Sequence, residues 1–363
     1  MEHDEQQMLM LPYYHGMLLS EDAEEFLLFD GDFWFAKLKK FPTMDEFLRC
    51  LRRHEGMERM YTIEGNPEGF LTIEQFVNNY LGTETSIISG QSIFLRRPIE
   101  RAGWEISRDA IRLNRDGFGF VFTPRPGKQI RVAVKEMPLT SSKERIGKFM
   151  NEVRILRQLK HPNIIRFHGV ALQHEPLMML IEEVDVLETF ALIDYLKTQW
   201  RCVRDKRKMC IDAARGLSYI HSRGIVHSDI SAKNCLYLYS RRKVKISNFE
   251  FAFKGTEKAM HNIPKTQRKW LPTEALYDGL FTAASDTWSY GVLCWEIFAD
   301  GKEPYHQMTE REITRSIVRG GGLIFSVEAP QILEEFVLQN VWKRSSERYS
   351  MESVYEWLIQ NIN

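Results

Sequence analysis

The strongest constraint in this sequence is an ordered series of short polar strings spread over its C-terminal two-thirds. Val132-Ala-Val-Lys135 sets a lysine into an apolar stretch, 131–135, that reads as a strand. Glu152 follows 17 residues later, inside a run, 148–159, with helical spacing. His227-Ser-Asp229 and Asn234 put a carboxylate and a carboxamide five residues apart on a loop. Asn248-Phe249 follows a second strand pattern, 244–247, and Ser285-Asp-Thr-Trp-Ser-Tyr-Gly291 opens an apolar helix over 286–298. Arg348 sits near the C-terminal end. Alone, each string says little: a lone strand lysine is usually a surface lysine, and a lone His-x-Asp is usually a turn. In this order they describe a unit that begins with strands, including 177–181, and turns helical after Leu192, with 208–221 a clear helical run.

Chemically, the strand lysine suits nucleotide phosphates and Glu152 can pair with it. Asp229 can accept a hydroxyl proton, and the Asn234 amide can hold a metal ion. Protein-kinase signatures run in this same order: a Gly-rich loop, Val-Ala-x-Lys, a helix Glu, His-Arg-Asp-x-x-x-x-Asn and Asp-Phe-Gly.

The chain is long enough, at 363 residues, for two or three domains, and 44% hydrophobic residues supply their cores. Charge divides it: residues 1–85 hold 17 acidic against 7 basic residues, a formal −10, so the other 278 carry +10. A first unit is expected over 11–82, with a helix starting at Ser20, strands at 33–37, 47–51 and 60–63, and a helix at 71–80. That order gives a small α+β domain. A Gly- and Pro-punctuated linker follows at 83–103, with Ile93-Phe-Leu95 docking on a neighbour, and the larger unit spans 104–363. The charge split reads either as two separately solvated surfaces or as an acidic unit that docks on a basic one. No apolar run reaches bilayer length. The polar N-terminus lacks a secretory pattern, and five scattered cysteines form neither a disulfide framework nor a zinc spacing. A cytoplasmic protein is expected, with no nucleic-acid partner.

Residues 93–362 resemble the Fer/Fps group of non-receptor tyrosine kinases. The resemblance is carried by Leu95-Arg-Arg-Pro-Ile, Trp104-Glu-Ile-Ser, His161-Pro-Asn-Ile-Ile-Arg, Asn234-Cys-Leu, Lys269-Trp270, Glu274-Ala-Leu and Trp288-Ser-Tyr-Gly-Val-Leu-Cys-Trp-Glu-Ile. Tyr13-Tyr-His-Gly, Glu21-Asp-Ala-Glu, Gly31-Asp-Phe and Tyr61-Thr-Ile-Glu-Gly make the first unit resemble the Src-homology 2 domain that precedes the kinase in that group. The implied fold is α+β: a small α/β sandwich, then a bilobal kinase with a β-rich N-lobe and an α-helical C-lobe. The resemblance implies ATP and Mg2+ as cofactors. It makes Asp229 the catalytic base, places Leu113, Asn114, Gly117, Gly119 and Val121 over the nucleotide, and puts Lys135 on its α/β-phosphates with Glu152 as the lysine's partner in the ATP site. Asn234 and, as a poorer ligand, Asn248 would hold the metal. Phe249 would pack between the lobes, while Asp286 and the Glu274–Arg348 pair would brace the C-lobe.

Several positions depart from the family. Asp-Phe-Gly reads Asn248-Phe-Glu250, so the magnesium carboxylate is an amide. In the Gly-rich loop only Gly119 matches, and Asp116 stands where the backbone should meet phosphate; a carboxylate about 4 Å from a phosphate charge costs on the order of 4 kcal/mol. The Arg of His-Arg-Asp is Ser228, and 255–269, the expected activation loop, holds no tyrosine. The loop 231–233 reads Ser-Ala-Lys where the family has Ala-Ala-Arg. In the first unit Ala36 takes the place of the phosphotyrosine-binding arginine, and Ser20 that of its helix partner. The leading expectation is a catalytically impaired kinase that acts as a scaffold or regulator among signalling proteins and still binds ATP. The alternatives are an active tyrosine kinase and a phosphotyrosine adaptor.

Overall fold

Alternation of apolar residues along five strands builds the sheet of the first compact unit. The structure, a computed structural model, describes residues 32–33, 51–54, 60–63, 69–70, 72–83, 85, 97–98, 100–113, 118–122, 129–138, 140–182, 189–198, 201–261, 263–318 and 322–362. Its compact units are Met1–Ser142 with His168–Leu180, and Lys143–Phe167 with Ile181–Asn363. Strands β1 (Ile111–Leu113), β2 (Phe118–Phe122), β3 (Gln129–Met137), β4 (Phe167–Ala171) and β5 (Leu177–Glu182) lie in the order β1-β2-β3-β5-β4. Antiparallel pairing sets Ile111 opposite Val121, and Val121 opposite Ile130. One face thereby collects a buried cluster of Ile111, Val121, Val132, Ala171, Met178 and Leu180, with Ile130 and Val134 packed on it. With a side-chain period of two, Arg131, Ala133 and Lys135 fall on the other face of β3.

Farther N-terminal, Asp32–Phe33 pairs in parallel with Arg97–Pro98, and Leu51–His54 pairs antiparallel with Met60–Ile63. The expected strand 60–63 is therefore present. Its partner is 51–54, where Leu-Arg-Arg-His pairs through its backbone without an apolar alternation to announce it; of the expected strand 47–51, residues 47–50 lie outside the described residues. Helix α1 (Ile73–Tyr80) begins two residues later than expected, where Thr72 Oγ1 accepts from Gln75 N at 3.0 Å. It buries Phe76, Val77 and Tyr80. The Ser20 helix, residues 34–37 with Ala36, and the 93–95 segment lie outside the described residues.

The second unit is mainly helical. Its helices are α2 (Lys143–Leu156), α3 (Leu192–Thr198), α4 (Val203–Ser222), α5 (Thr273–Asp278), α6 (Ala283–Phe298), α7 (Glu310–Val318), α8 (Gln331–Phe336) and α9 (Met351–Asn361). Short strands β6 (Thr189–Ala191), β7 (Ile225–Val226), β8 (Cys235–Leu238), β9 (Lys243–Ile246) and β10 (Phe253–Lys254) pair as β6-β8-β9 and β7-β10. A further ladder joins β11 (Glu257–Ala259) to β12 (Leu280–Thr282). Helix α6 is buried almost all round, which an interior helix requires. A Cβ on its Gly291 would stand 2.5 Å from Trp342 Nε1, so only glycine allows that approach. No described helix is long and apolar enough to cross a membrane.

Candidate active site

The loop 227–234 is held from below by Asp286, which α6 carries into the interior at 1% exposure. Asp286 Oδ2 accepts from His227 N at 2.7 Å and Oδ1 from Ser228 N at 2.8 Å. His221 Nε2 stands 3.1 Å from Oδ2. Two adjacent amides on one carboxylate fix the turn and hold Ser228 at a left-handed φ of 68°. For a serine that conformation is costly, and surrounding bonds must over-determine it. His227 is wholly buried. Its Nδ1 accepts from Asp229 N at 3.3 Å, which leaves Nε2–H to donate to Ser247 O at 3.1 Å. Burial lowers its pKa, in keeping with a neutral ring.

Asp229 is nearly buried, and Lys233 Nζ lies 3.8 Å from its Oδ1. Asn234 Nδ2 donates to Asp229 O at 2.7 Å, which turns its Oδ1 outward. Asn248, at a left-handed φ of 61°, donates its Nδ2–H to that oxygen at 3.0 Å. Glu152, brought in by α2, accepts from Phe249 N at 3.1 Å, and the Phe249 ring packs edge-on to His227 with centroids 4.7 Å apart. Asn151 beside it donates to Ala252 O at 2.8 Å. The structure thus brings Asp229, Asn234, Asn248 and Glu152 into one constellation. Val121 and Lys135 lie on β2 and β3 of the first unit, Leu113 ends β1, and Gly119 pairs with Leu113. Asn114, Asp116 and Gly117 lie outside the described residues.

Three contributors carried no role in the sequence reading. Lys233 lies beside Asp229 from the next turn, and only its four-residue spacing signals that. The His227 ring fixes the loop from inside. Glu296 on α6 accepts from Ala232 N and from Trp270 Nε1, both at 2.9 Å. Burial raises the Glu296 pKa to about 7. The Oγ atoms of Ser228 and Ser231 are buried with no hydrogen-bond partner among the described residues. As expected, Arg348 Nη1 meets Glu274 Oε1 at 2.7 Å.

Magnesium asks for hard, preferably charged oxygen. Asn234 and Asn248 bring no carboxylate. The one oxygen that Asn234 turns toward Asn248 already accepts an N–H. This pair does not fit a magnesium ion as two ligands would. Among the described residues no group of three His, Cys, Asp or Glu is placed to hold a metal.

The family described as "Protein tyrosine and serine/threonine kinase" matches residues 112–358. Fer-related kinase 1 of Caenorhabditis elegans is 30% identical, over 95% of this chain and 92% of its own length. Human tyrosine-protein kinase Fer is 29% identical over 91% of this chain, which spans 41% of that protein. Spermatocyte protein spe-8 of C. elegans is 27% identical over 95% of this chain and 70% of its own length. A strand-rich unit, a helical unit with its Asp229 loop, and these matches together establish that the chain belongs to the protein tyrosine and serine/threonine kinase family, with the Fer and Fps kinases as its relatives.

Proposed function

We propose that this chain is a Fer/Fps-type kinase impaired in phosphotransfer, a cytoplasmic scaffold or regulator among signalling proteins that still binds ATP. One observation carries the reading: Asn248 gives an N–H to Asn234 Oδ1 at 3.0 Å, where the family's carboxylate would give a cation a negative charge. Loss of about 3 kcal/mol of transition-state stabilisation costs roughly a hundredfold in rate. Ser228 and the tyrosine-free stretch 255–269 support it, since a phosphorylated loop and the arginine that would bind it are lost together. Lys135 remains to hold the nucleotide phosphates, with Glu152 as the lysine's partner in the family. In this reading the first unit is a Src-homology 2-like docking module with no phosphotyrosine arginine, given Ala36.

The test uses the purified full chain with ATP, magnesium and a tyrosine peptide. Turnover is expected to match that of Asp229→Ala. ATP is expected to raise the melting temperature equally with and without magnesium. Turnover that Asp229→Ala abolishes overturns the proposal. A second reading, a slow tyrosine kinase, is favoured by the retained Asp229 with Lys233 at 3.8 Å. It predicts an activity measurable in the parent that Asn248→Asp raises.

A further inference from the structure

Two basic runs far apart in sequence meet in the second unit. One is 204–208, in the opening turns of α4; the other is Arg241-Arg242, in the turn between β8 and β9. Together they line an open cavity of about 750 Å³. Two of the cations are engaged locally: Arg242 pairs with Asp205, and Lys208 Nζ lies 3.0 Å from Asp212 Oδ2. Arg204 and Arg241 are exposed and pair with no carboxylate among the described residues. Arg207 holds its Nε buried with no acceptor. Three guanidinium groups are therefore surplus at one concavity. A second pocket of about 460 Å³ adjoins it, sharing Asp205 and Arg242. Its rim carries the exposed Tyr239, edge-on to Tyr195, which is itself buried between Tyr237 at 4.0 Å and the Arg201 guanidinium at 3.7 Å.

Like charges gathered in a concavity repel until an anion joins them, and a low-dielectric wall strengthens the attraction to that anion. Arginine forks match the oxygens of a phosphate monoester, where lysines would offer only point charges. A flat lipid surface is met by exposed lysines and protruding apolar anchors, not by a recess. The exposed ring of Tyr239 next door suits the side chain flanking the phosphate. We propose that this groove binds a phosphorylated segment of a partner protein, its phosphate on Arg204, Arg207 and Arg241 and its neighbouring residue against Tyr239. The site is independent of phosphotransfer and stands whether or not the chain is an enzyme.

Fluorescence anisotropy of the full chain with a short labelled peptide tests this, the peptide carrying one phosphotyrosine between apolar residues. Binding is expected for this peptide and not for its unphosphorylated twin. Arg204→Glu with Arg241→Glu is expected to weaken it at least about tenfold, at an unchanged melting temperature, while Lys302→Glu leaves it alone. Arg204→Gln alone, which reverses no charge, is expected to weaken it in the same direction. Unaltered affinity in the double variant overturns the proposal, and so does equal binding of the twin. Displacement by inorganic phosphate as effective as by unlabelled peptide assigns the groove to a small free anion and overturns it too. So does co-sedimentation with phosphatidylserine vesicles that the double variant abolishes.

Discussion

Glu296 couples the candidate active site to pH. Its carboxylate supports the loop through Ala232 N and holds Trp270 Nε1 on the same oxygen. Burial moves its pKa from an ordinary 4.5 to about 7, against the pull of those two donors and of Lys233 and Lys197. A carboxyl that binds its proton more tightly when folded contributes stability fully below its unfolded pKa. That contribution is lost as pH rises through the folded value. The native state should therefore weaken between about pH 4.5 and about pH 7 through this group. Glu296→Gln keeps an oxygen for both donors and removes the ionisation. Thermal melts should show a flatter pH dependence, with a gain of about 1–3 kcal/mol at the alkaline end. A variant with the parent's pH slope would show that Glu296 is not the group responsible. At this scale the sequence shows which residue stands at each site but not how it is turned. That Asn248 had lost a charge was plain. That it donates to Asn234 depends on Asn234 being turned by Asp229 O, a contact no spacing encodes.

Elements were legible in proportion to their length and apolar content. Helices α4 and α6 run for 20 and 16 residues, and their apolar spacing shows in the sequence. Helix α2 begins at Lys143, five residues before the apolar pattern suggested, because its first turns are polar and held by Lys148 and Glu144 at 2.6 Å. The six-residue helices α5 and α8 leave no periodic trace of their own. Within α6 two positions carry separable effects. Thr282 and Ser285 form a reciprocal cap at its start, and Thr282→Ala should cost about 1 kcal/mol. Gly291 meets Val341 and Trp342 at its middle, and Gly291→Ala should cost about 1–3 kcal/mol by overpacking. Urea unfolding separates them: the losses should add in the double variant, because cap and packing site share no partner. Strong non-additivity would mean that α6 fails as a whole once either end is disturbed.

At the scale of the whole molecule, the decisive contacts join residues that the chain keeps far apart. Glu152 meets Phe249, Asp286 meets His227 and Ser228, and Arg348 meets Glu274. No periodicity predicts such pairs. The resemblance to a kinase supplied the Arg348–Glu274 pair and a bracing role for Asp286, while the Glu152–Phe249 bond and the arginine groove, which it does not supply, went unread. Arg348 shows what these contacts do within the second unit. Its side chain is 1% exposed, with Nη1 donating to Glu274 Oε1 at 2.7 Å and to Ala284 O at 2.5 Å, and Nη2 to Lys343 O at 2.7 Å. One guanidinium thus ties α5 and the first turn of α6 to the segment before α9. Breaking a buried pair costs about 3–5 kcal/mol when one charge is left without compensation. Glu274→Gln leaves Arg348 both backbone carbonyls and an amide oxygen, so it should fall below that range. Arg348→Met strands Glu274, Ala284 O and Lys343 O together and should reach it. Denaturation of the two single variants measures the order, which an ordinary surface ion pair would not produce. Equal losses of about 0–1 kcal/mol would mean that Arg348 is an ornament of the surface and not the clasp of these three segments.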